Sequence, residues 1–378
     1  MIDPTRTALG TWSGGAYMNF GAAIERDRLV ALLRPDAQIR TLITADAYGA
    51  GDADKLAGEA LAGLPRDSYC LVGAIGHDFY EGERAGAKGF PRFTDAALRG
   101  PDDYADYIRM ATERSLERLG VDSFDLLMLH NPDRTGYTSE AVWSGMAAVR
   151  DAGLTRLLGV APGPANGFTL DLIECFERFG ALIDWSMVIL NPFEPWPGEL
   201  VLPAAVEHDV KLITRVVDYG GLFHDDVRPG HEFPERDHRM FRPDGWIERG
   251  NERLDRVRPI AERHKLTLLQ TACLWNLSHE PVKCVAPTLI EELGGAKSIE
   301  DKRAELAVLS NEDGVLCPVE IDEIRAIGDN TGSMKLKGGS PDNDGEIAPD
   351  SWPIGDELDE IAKRWSIEPQ TQLSRALD

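Results

Sequence analysis

The 378-residue chain lacks several features that mark common classes of protein. Its five cysteines are odd in number, lie far apart and form no Cys-x-x-Cys pair. This pattern argues against a disulfide framework and a zinc ribbon, and it is typical of free thiols. No apolar run approaches the roughly 18 residues of a membrane span. The first residues lack the basic start and the apolar stretch of a signal peptide, so we expect a cytoplasmic protein with no membrane partner.

Positive charge is also scarce. The chain has 40 Lys and Arg against 64 Asp and Glu, a formal net charge of -24. Such an excess repels the phosphates of nucleic acids and of anionic membrane surfaces. Hydrophobic residues make up 43% of the chain, which is typical of a globular domain. We therefore expect a small-molecule substrate rather than a nucleic acid, and a homo-oligomer is compatible with these features.

Short apolar segments alternate along the chain with longer segments of helical period. This alternation is typical of βα units around a parallel sheet. The predicted strands are residues 8–12, 40–44, 69–74, 124–129, 156–160, 186–190, 211–216 and 283–286. The predicted helices cover 24–34, a segment from 52, 101–119, 139–151, 170–179, 199–208, 252–277 and 298–309. Because the eight strands are almost purely apolar, we predict a closed (β/α)8 TIM barrel rather than an open sheet.

Two segments depart from the alternation. Residues 223–246, after the seventh strand, are rich in Asp, His, Arg and Pro, and we expect an extended loop over the carboxyl ends of the strands. Residues 332–350 are rich in Gly, Asp and Pro and precede a predicted helix at 356–365. We therefore predict a barrel over residues 1–330 and a C-terminal extension over 331–378 that packs on it.

Several motifs occur in an order that resembles the aldo-keto reductases. They lie at 8–12 (ALGTW), 44–51 (TADAYGAG), 115–122 (SLERLGVD) leading to 125–130 (DLLMLH), and 295–300 (GAKSIE). Residues 233–239 (FPERDHR) are similar to a segment of one bacterial branch. The resemblance covers roughly residues 8 to 310. It implies hydride transfer between NADP(H) and a small carbonyl or hydroxy compound, with Tyr48 as the acid and His130 orienting the substrate oxygen.

The resemblance leaves the catalytic tetrad incomplete. The family has an Asp five residues before the Tyr, where this chain has Ile43, and a Lys at the end of the third strand, where it has Ala74. Without a nearby ammonium group, a tyrosine keeps a pKa near its reference value of about 10. An apolar pocket raises that pKa further, so Tyr48 is predicted to be a weak proton donor at neutral pH.

The resemblance also implies which residues would hold NADP(H). These are Arg215, Gly221, Leu222, Lys297 and Ser298. Other expected contacts are missing from the chain, namely the Ser-Asn pair, replaced by Ala161-Pro162, and a Gln, replaced by Met187. Acidic residues, Asp301 and Glu305, stand where the family favours Gln and Asn, and a carboxylate beside a phosphate is unfavourable.

The predicted substrate contacts are Trp12, His77, Phe193, Trp196 and Arg215. Two interpretations of Arg215 stay open. It could bind a carboxylate or phosphate of the substrate, or it could form an ion pair with Asp218. His77-Asp78 could supply a substitute acid or base, or form a solvated loop. No metal site is predicted, because His224, His231 and His238 lack the close spacing that preorganises ligands.

Three functions remain open at this point. The first is an NADP(H)-dependent reductase or dehydrogenase with altered proton transfer. The second is a lyase, isomerase or hydratase that uses Tyr48 and His130 as acid and base without a nicotinamide cofactor. The third is a non-catalytic binding subunit.

Overall fold

A computed structural model of the chain describes residues 2–85, 89–163, 168–242, 244–309, 311, 314–330 and 354–373. Eight parallel strands form one sheet in sequence order. They are β1 Ala8–Gly10, β2 Thr41–Ile43, β3 Cys70–Ile75, β4 Phe124–His130, β5 Thr155–Ala161, β6 Trp185–Ile189, β7 Lys211–Arg215 and β8 Val282–Ala286. A bridge between Thr7 and Val285 joins the last strand to the segment before the first. The prediction of a (β/α)8 barrel is confirmed.

Helices follow the strands on the outside of the barrel. They are α1 Arg26–Leu33, α2 Asp52–Leu61, α3 Tyr104–Leu119, α4 Arg134–Thr138, α5 Glu140–Asp151, α6 Phe168–Phe179, α7 Leu202–Glu207, α8 Trp246–Arg263, α9 Leu268–Leu277, α10 Ile299–Ala307, α11 Pro318–Ile327 and α12 Asp356–Arg364. No helix in these ranges is long and apolar enough to cross a membrane.

The single helix predicted over 252–277 is wrong, because the chain forms two helices there. Lys265 adopts a left-handed backbone with φ of 55°, which a continuous α-helix does not allow. Thr267 then caps α9 through a capping box with Gln270, in which each side chain bonds to the other residue's backbone amide. Hydrophobic periodicity continues across this break, which is why the sequence pattern did not reveal it.

The core has two parts, because strand residues alternate in direction. Inward-facing residues fill the barrel, and these include Ile43, Ala74, Met128, Met187 and Ile213. Outward-facing strand residues pack against the helices in a larger cluster. The inward positions at the carboxyl end of the strands are therefore the ones that can present side chains to a site.

The loop after β7 reaches the loop after β1. The Asp237 carboxylate accepts a hydrogen bond of 2.7 Å from the Gly21 amide, and the His238 amide donates one of 2.8 Å to the Asn19 carbonyl. The segment after β8 reaches the same place, since the Ala22 amide donates to the Glu291 carbonyl at 2.8 Å. These contacts lie at the carboxyl end of the barrel, where the extended loop was expected.

The last described helix packs on the barrel. Leu358, Ile361 and Ala362 of α12 are buried in the outer core, and Arg364 forms an ion pair with Glu177 of α6. The division of the chain after residue 330 stays a prediction, because residues 331–353 lie outside the described ranges.

Candidate active site

Tyr48 and His130 meet at the carboxyl end of the barrel. Tyr48 begins a tight turn after β2, in which Gly49, Ala50 and Gly51 all have positive φ, and His130 is the last residue of β4. Their ring centroids are 5.6 Å apart with an interplanar angle of 88°. The two residues that the sequence identified as catalytic are therefore neighbours, and their rings are in edge-to-face contact.

The surroundings of Tyr48 include apolar side chains of the barrel interior. Ile43 and Ala74 are 2% and 7% exposed and belong to the barrel interior, against which Tyr48 packs. Trp12 is part of the same cluster. Burial raises the pKa of Tyr48, and the positive charge of Arg215 opposes that rise. Tyr48 is thus a neutral hydroxyl at physiological pH, able to donate a hydrogen bond.

His77 packs against the other side of His130. The two ring centroids are 5.1 Å apart. His77 Nδ1 lies 3.1 Å from the Phe90 carbonyl oxygen, and Nε2 lies 3.2 Å from the Asn131 side-chain amide nitrogen. A tautomer with the proton on Nδ1 would donate to Phe90 and accept at Nε2 from Asn131, whereas the contact of Arg92 Nη1 with Nδ1, at 3.0 Å, requires an unprotonated Nδ1. Burial and the neighbouring Arg92 lower the pKa of His77 to about 3.

His130 is also neutral. It is 7% exposed, and burial, followed by His77, Arg92 and Arg215, holds its pKa well below the usual value. In the described part of the chain, its Nδ1 atom has no hydrogen-bond partner. A buried ring nitrogen without a partner is costly, and it is therefore a candidate atom for contact with a bound molecule.

Two arginines make the site electropositive. Arg92 is 4% exposed, donates from Nε to the Asn131 carbonyl and places Nη1 3.0 Å from His77 Nδ1. Arg215 ends β7, and its Nη2 atom donates to the Pro162 carbonyl at 3.0 Å. Burial lowers the pKa of Arg215. Its guanidinium nevertheless stays charged at physiological pH, because arginine titrates far above neutrality.

The structure separates the other predicted substrate contacts. Phe193 and Trp196 are fully buried in the outer core, so it does not bring them to the site. Asp78 is buried in an ion pair with Arg99, at 2.5 Å, and so is not a free acid. Sequence reasoning missed Arg92 and Asn131. Asn131 could have been noticed because it directly follows His130, but Arg92 lies in an irregular loop that gives no signal.

Asp218 does not pair with Arg215. Its carboxylate accepts hydrogen bonds from the Gly221 amide at 2.8 Å and from the Thr288 amide at 2.7 Å. These amides follow β7 and β8, the place where barrels of this type commonly bind phosphate. A carboxylate of the chain itself therefore occupies the backbone donors that would otherwise hold a phosphate group.

The segments beside Gly221 are covered by buried ion pairs. Arg239 is 1% exposed, pairs with Asp237 and Glu292, and donates to the Gly220 carbonyl at 3.2 Å. A Cβ atom at Gly221 would lie 3.1 Å from a Glu292 oxygen. Leu222 is fully buried. This part of the predicted cofactor groove is thus filled by side chains of the chain itself.

The predicted contacts for a 2'-phosphate are engaged with acids. Lys297 forms an ion pair with Glu305 at 2.6 Å. Ser298 caps α10, and its hydroxyl bonds to the Asp301 carboxylate at 2.7 Å. Together with the missing donors at Ala161 and Pro162, the residues present do not fit a nicotinamide dinucleotide held in the family's manner.

In the described ranges, no cluster of three His, Cys, Asp or Glu side chains is arranged to hold a metal ion. Two of the three histidines in the loop after β7 have different partners. His224 is buried and bonded to the Thr288 carbonyl at 2.8 Å, while His238 stacks edge-on against Phe20.

Comparison with known proteins identifies the family. The profile described as "Aldo/keto reductase family" matches residues 6–300. A D-threo-aldose 1-dehydrogenase from a Pseudomonas species is 27% identical over 332 residues, which are 82% of this chain and 91% of that protein. Among solved structures, the glycerol dehydrogenase of Gluconobacter oxydans has a TM-score of 0.67 at 23% identity, with 86% of this chain and 92% of that chain covered.

A second similar structure is an aldo/keto reductase from Klebsiella pneumoniae in complex with NADP and acetate. Its TM-score is 0.57 at 20% identity, with 86% of this chain and 96% of that chain covered. The family profile spans the whole barrel, including Tyr48 and His130. This chain belongs to the aldo/keto reductase family.

Proposed function

We propose that this chain is an enzyme that transfers protons on a small carbonyl or hydroxy compound without a nicotinamide cofactor, in a lyase, isomerase or hydratase reaction. The observation that carries this proposal is the hydrogen bond from Arg215 to the Pro162 carbonyl. In the family, the residue at the end of β7 often stacks on the nicotinamide, usually as Tyr and in some relatives as Arg, and the residues after β5 usually hold its amide. In this chain the Arg215 side chain spans the interval between those two places.

The remaining groups can handle protons. Tyr48 is a neutral hydroxyl that can donate a hydrogen bond to a substrate oxygen, and neutral His130 can accept a proton. In an enolisation, the proton on the carbon beside a carbonyl moves to His130. The C–H electron pair then forms the carbon–carbon double bond while Tyr48 stabilises the charge on oxygen. Return of the proton to a neighbouring carbon, or loss of a leaving group, completes isomerisation or elimination.

A second candidate is NADP(H)-dependent reduction or oxidation. Family membership supports it, because the similar proteins carry the names of dehydrogenases and reductases and one of them was solved with NADP. The ion pairs of Lys297 with Glu305 and of Arg239 with Glu292 argue against this candidate, because they engage side chains in the predicted cofactor groove. The absence of a Lys and an Asp beside Tyr48 weakens the proton transfer that such a reaction needs.

A titration separates the two candidates. The chain has eight tryptophans, so bound NADPH would quench their fluorescence and accept energy from them. We expect no saturable quenching up to millimolar NADPH. Saturation at micromolar concentration would instead establish the reductase and overturn the cofactor-free proposal.

Proton transfer itself can be followed in D2O. Dihydroxyacetone, glyceraldehyde and pyruvate are incubated with the protein without cofactor, and loss of the C–H signals is measured by NMR. We expect enzyme-dependent exchange that Tyr48→Phe and His130→Ala each abolish. Tyr69→Phe is the matched control, since Tyr69 directly precedes β3, at the opposite end of the barrel from Tyr48 and His130. No exchange in the native protein would contradict the proposed proton transfer.

A further inference from the structure

We propose that the substrate carries a carboxylate and that Arg215 binds it. This inference rests on the proposed site and names the class of its substrate. Arg215 is the one charged side chain that β7 contributes at its carboxyl end, and it lies at the same end of the barrel as Tyr48, which follows β2, and His130, which ends β4.

The first argument is the missing counterion. Among the described residues, no carboxylate lies within ion-pair distance of Arg215, and its one hydrogen bond is to the Pro162 carbonyl. Two other arginines of the barrel's loops and helices have acidic partners, Arg118 with Asp54 and Arg239 with Glu292. Arg215 is partly buried and has no such partner among the described residues, in a chain with 64 acidic residues. An anion brought by the ligand would supply the missing counterion.

The second argument is geometric. Arginine has five N–H donors in a planar fork, and only one bond from Arg215 is used within the described structure. A carboxylate matches two parallel donors of this fork. Tyr48 is in edge-to-face contact with His130, whose Nδ1 has no partner among the described residues, and both lie at the same end of the barrel as Arg215. A small acid held by Arg215 would therefore present its hydroxyl or carbonyl group to Tyr48 and His130.

The third argument compares a carboxylate with a phosphate. The fork of Arg215 fits either group, but the phosphate site that barrels of this type commonly form uses backbone amides after β7 and β8. The Asp218 carboxylate already accepts hydrogen bonds from two such amides, those of Gly221 and Thr288. Two charges of the same sign in that place repel each other. The free donors lie on Arg215, away from those amides, which favours a carboxylate on an otherwise neutral small molecule.

The bound anion would also alter His130. Arg215 and Arg92 both hold the pKa of His130 low, after burial and His77. A carboxylate on Arg215 offsets part of this positive charge, so the pKa of His130 rises and its imidazole becomes a better base. The substrate thereby activates the base that acts on it, while the free enzyme keeps His130 neutral.

The test compares acids with uncharged analogues of similar size. Lactate and pyruvate are titrated into the protein at constant ionic strength, beside hydroxyacetone and inorganic phosphate, by calorimetry and by the shift in Tm. We expect the two acids to bind and to raise Tm, while hydroxyacetone and phosphate do neither. We expect Arg215→Met to weaken the acids about tenfold or more, and Arg215→Lys to weaken them less.

The control is Arg236→Met, because Arg236 is exposed and distant from the barrel strands. Circular dichroism establishes that each variant is folded. Equal binding of acids by Arg215→Met, absence of binding by the native protein, or a preference for phosphate would each overturn the inference. Acid binding without proton exchange in D2O would support the inference and contradict the proposed function. Exchange on dihydroxyacetone without binding of either acid would support the proposed function and contradict the inference.

Discussion

The guanidinium of Arg215, at the end of β7, donates a hydrogen bond of 3.0 Å to the Pro162 carbonyl, just beyond the end of β5. The side chain therefore spans the width of β6 at the carboxyl end of the barrel. A residue that the resemblance assigned to cofactor stacking is in this structure a cation aimed across the site. The same residue lies at the end of the barrel that carries Tyr48 and His130, so it bears on both the cofactor and the substrate.

The apolar surroundings that Ile43 and Ala74 give Tyr48 can be tested by introducing a charged side chain at each of these two positions. We expect Ile43→Asp to lower the free energy of unfolding by about 3–5 kcal/mol, because it buries a carboxylate without a partner. Adding Ala74→Lys should recover part of that loss, since the two side chains can then pair. Urea unfolding of the single and double variants measures the coupling. Leu42→Asp with Ala74→Lys is the control; Leu42 faces the outer core, so those losses should simply add.

We expect the carboxylate of Asp218 to take the place that a bound anion would have at the amides after β7 and β8. We expect Asp218→Ala to cost about 2–3 kcal/mol, because hydrogen bonds to a charged group are lost and the Gly221 and Thr288 amides stay buried. Inorganic phosphate should raise the Tm of this variant more than that of the native protein. An equal response of the two proteins to phosphate would contradict this role.

The buried pair of Lys302 and Asp226 should behave as a unit. Both side chains are fully buried, with Nζ and Oδ2 2.6 Å apart. Lys302→Met leaves the Asp226 carboxylate uncompensated, and we expect it to cost about 3–5 kcal/mol. The double variant Lys302→Met, Asp226→Leu should be more stable than the single variant. Chemical denaturation measures the free energy of unfolding of the single and the double variant. Equal losses of stability in the two variants would show that Asp226 is not charged in the folded protein.

The two neutral histidines should make the fold sensitive to acid. The pKa of His77 is about 3 in the folded protein and about 6.5 when unfolded. Protons therefore bind the unfolded chain preferentially as the pH falls below about 6.5, and stability is lost until the folded pKa is reached. His77 alone should cost about 2 kcal/mol between pH 8 and pH 5. We expect His77→Gln to reduce this loss of the free energy of unfolding between pH 8 and pH 5 by the same amount. An unchanged pH dependence would contradict the low pKa of His77.

The sequence by itself determined the barrel and the two residues at its centre. Eight apolar strands separated by amphipathic helices leave few packing solutions, because each strand must be buried on both faces. Tyr48 and His130 could be placed because they end or follow strands, and all strand ends of such a barrel converge. The incomplete tetrad, with Ile43 and Ala74 where the resemblance implies an Asp and a Lys, stays a prediction.

Only the tertiary structure decided how the rest of the site is arranged. Whether Arg215 pairs with Asp218 depended on side-chain direction, and the structure gives each a different partner. Arg92 reaches His77 from a loop without any periodic pattern. The pairing of Arg239 with Glu292 joins residues far apart in the chain, through loops whose path depends on long-range contacts. Local pattern sets which residues are inward and which end a strand, whereas charge pairing between loops is fixed only when the chain is folded.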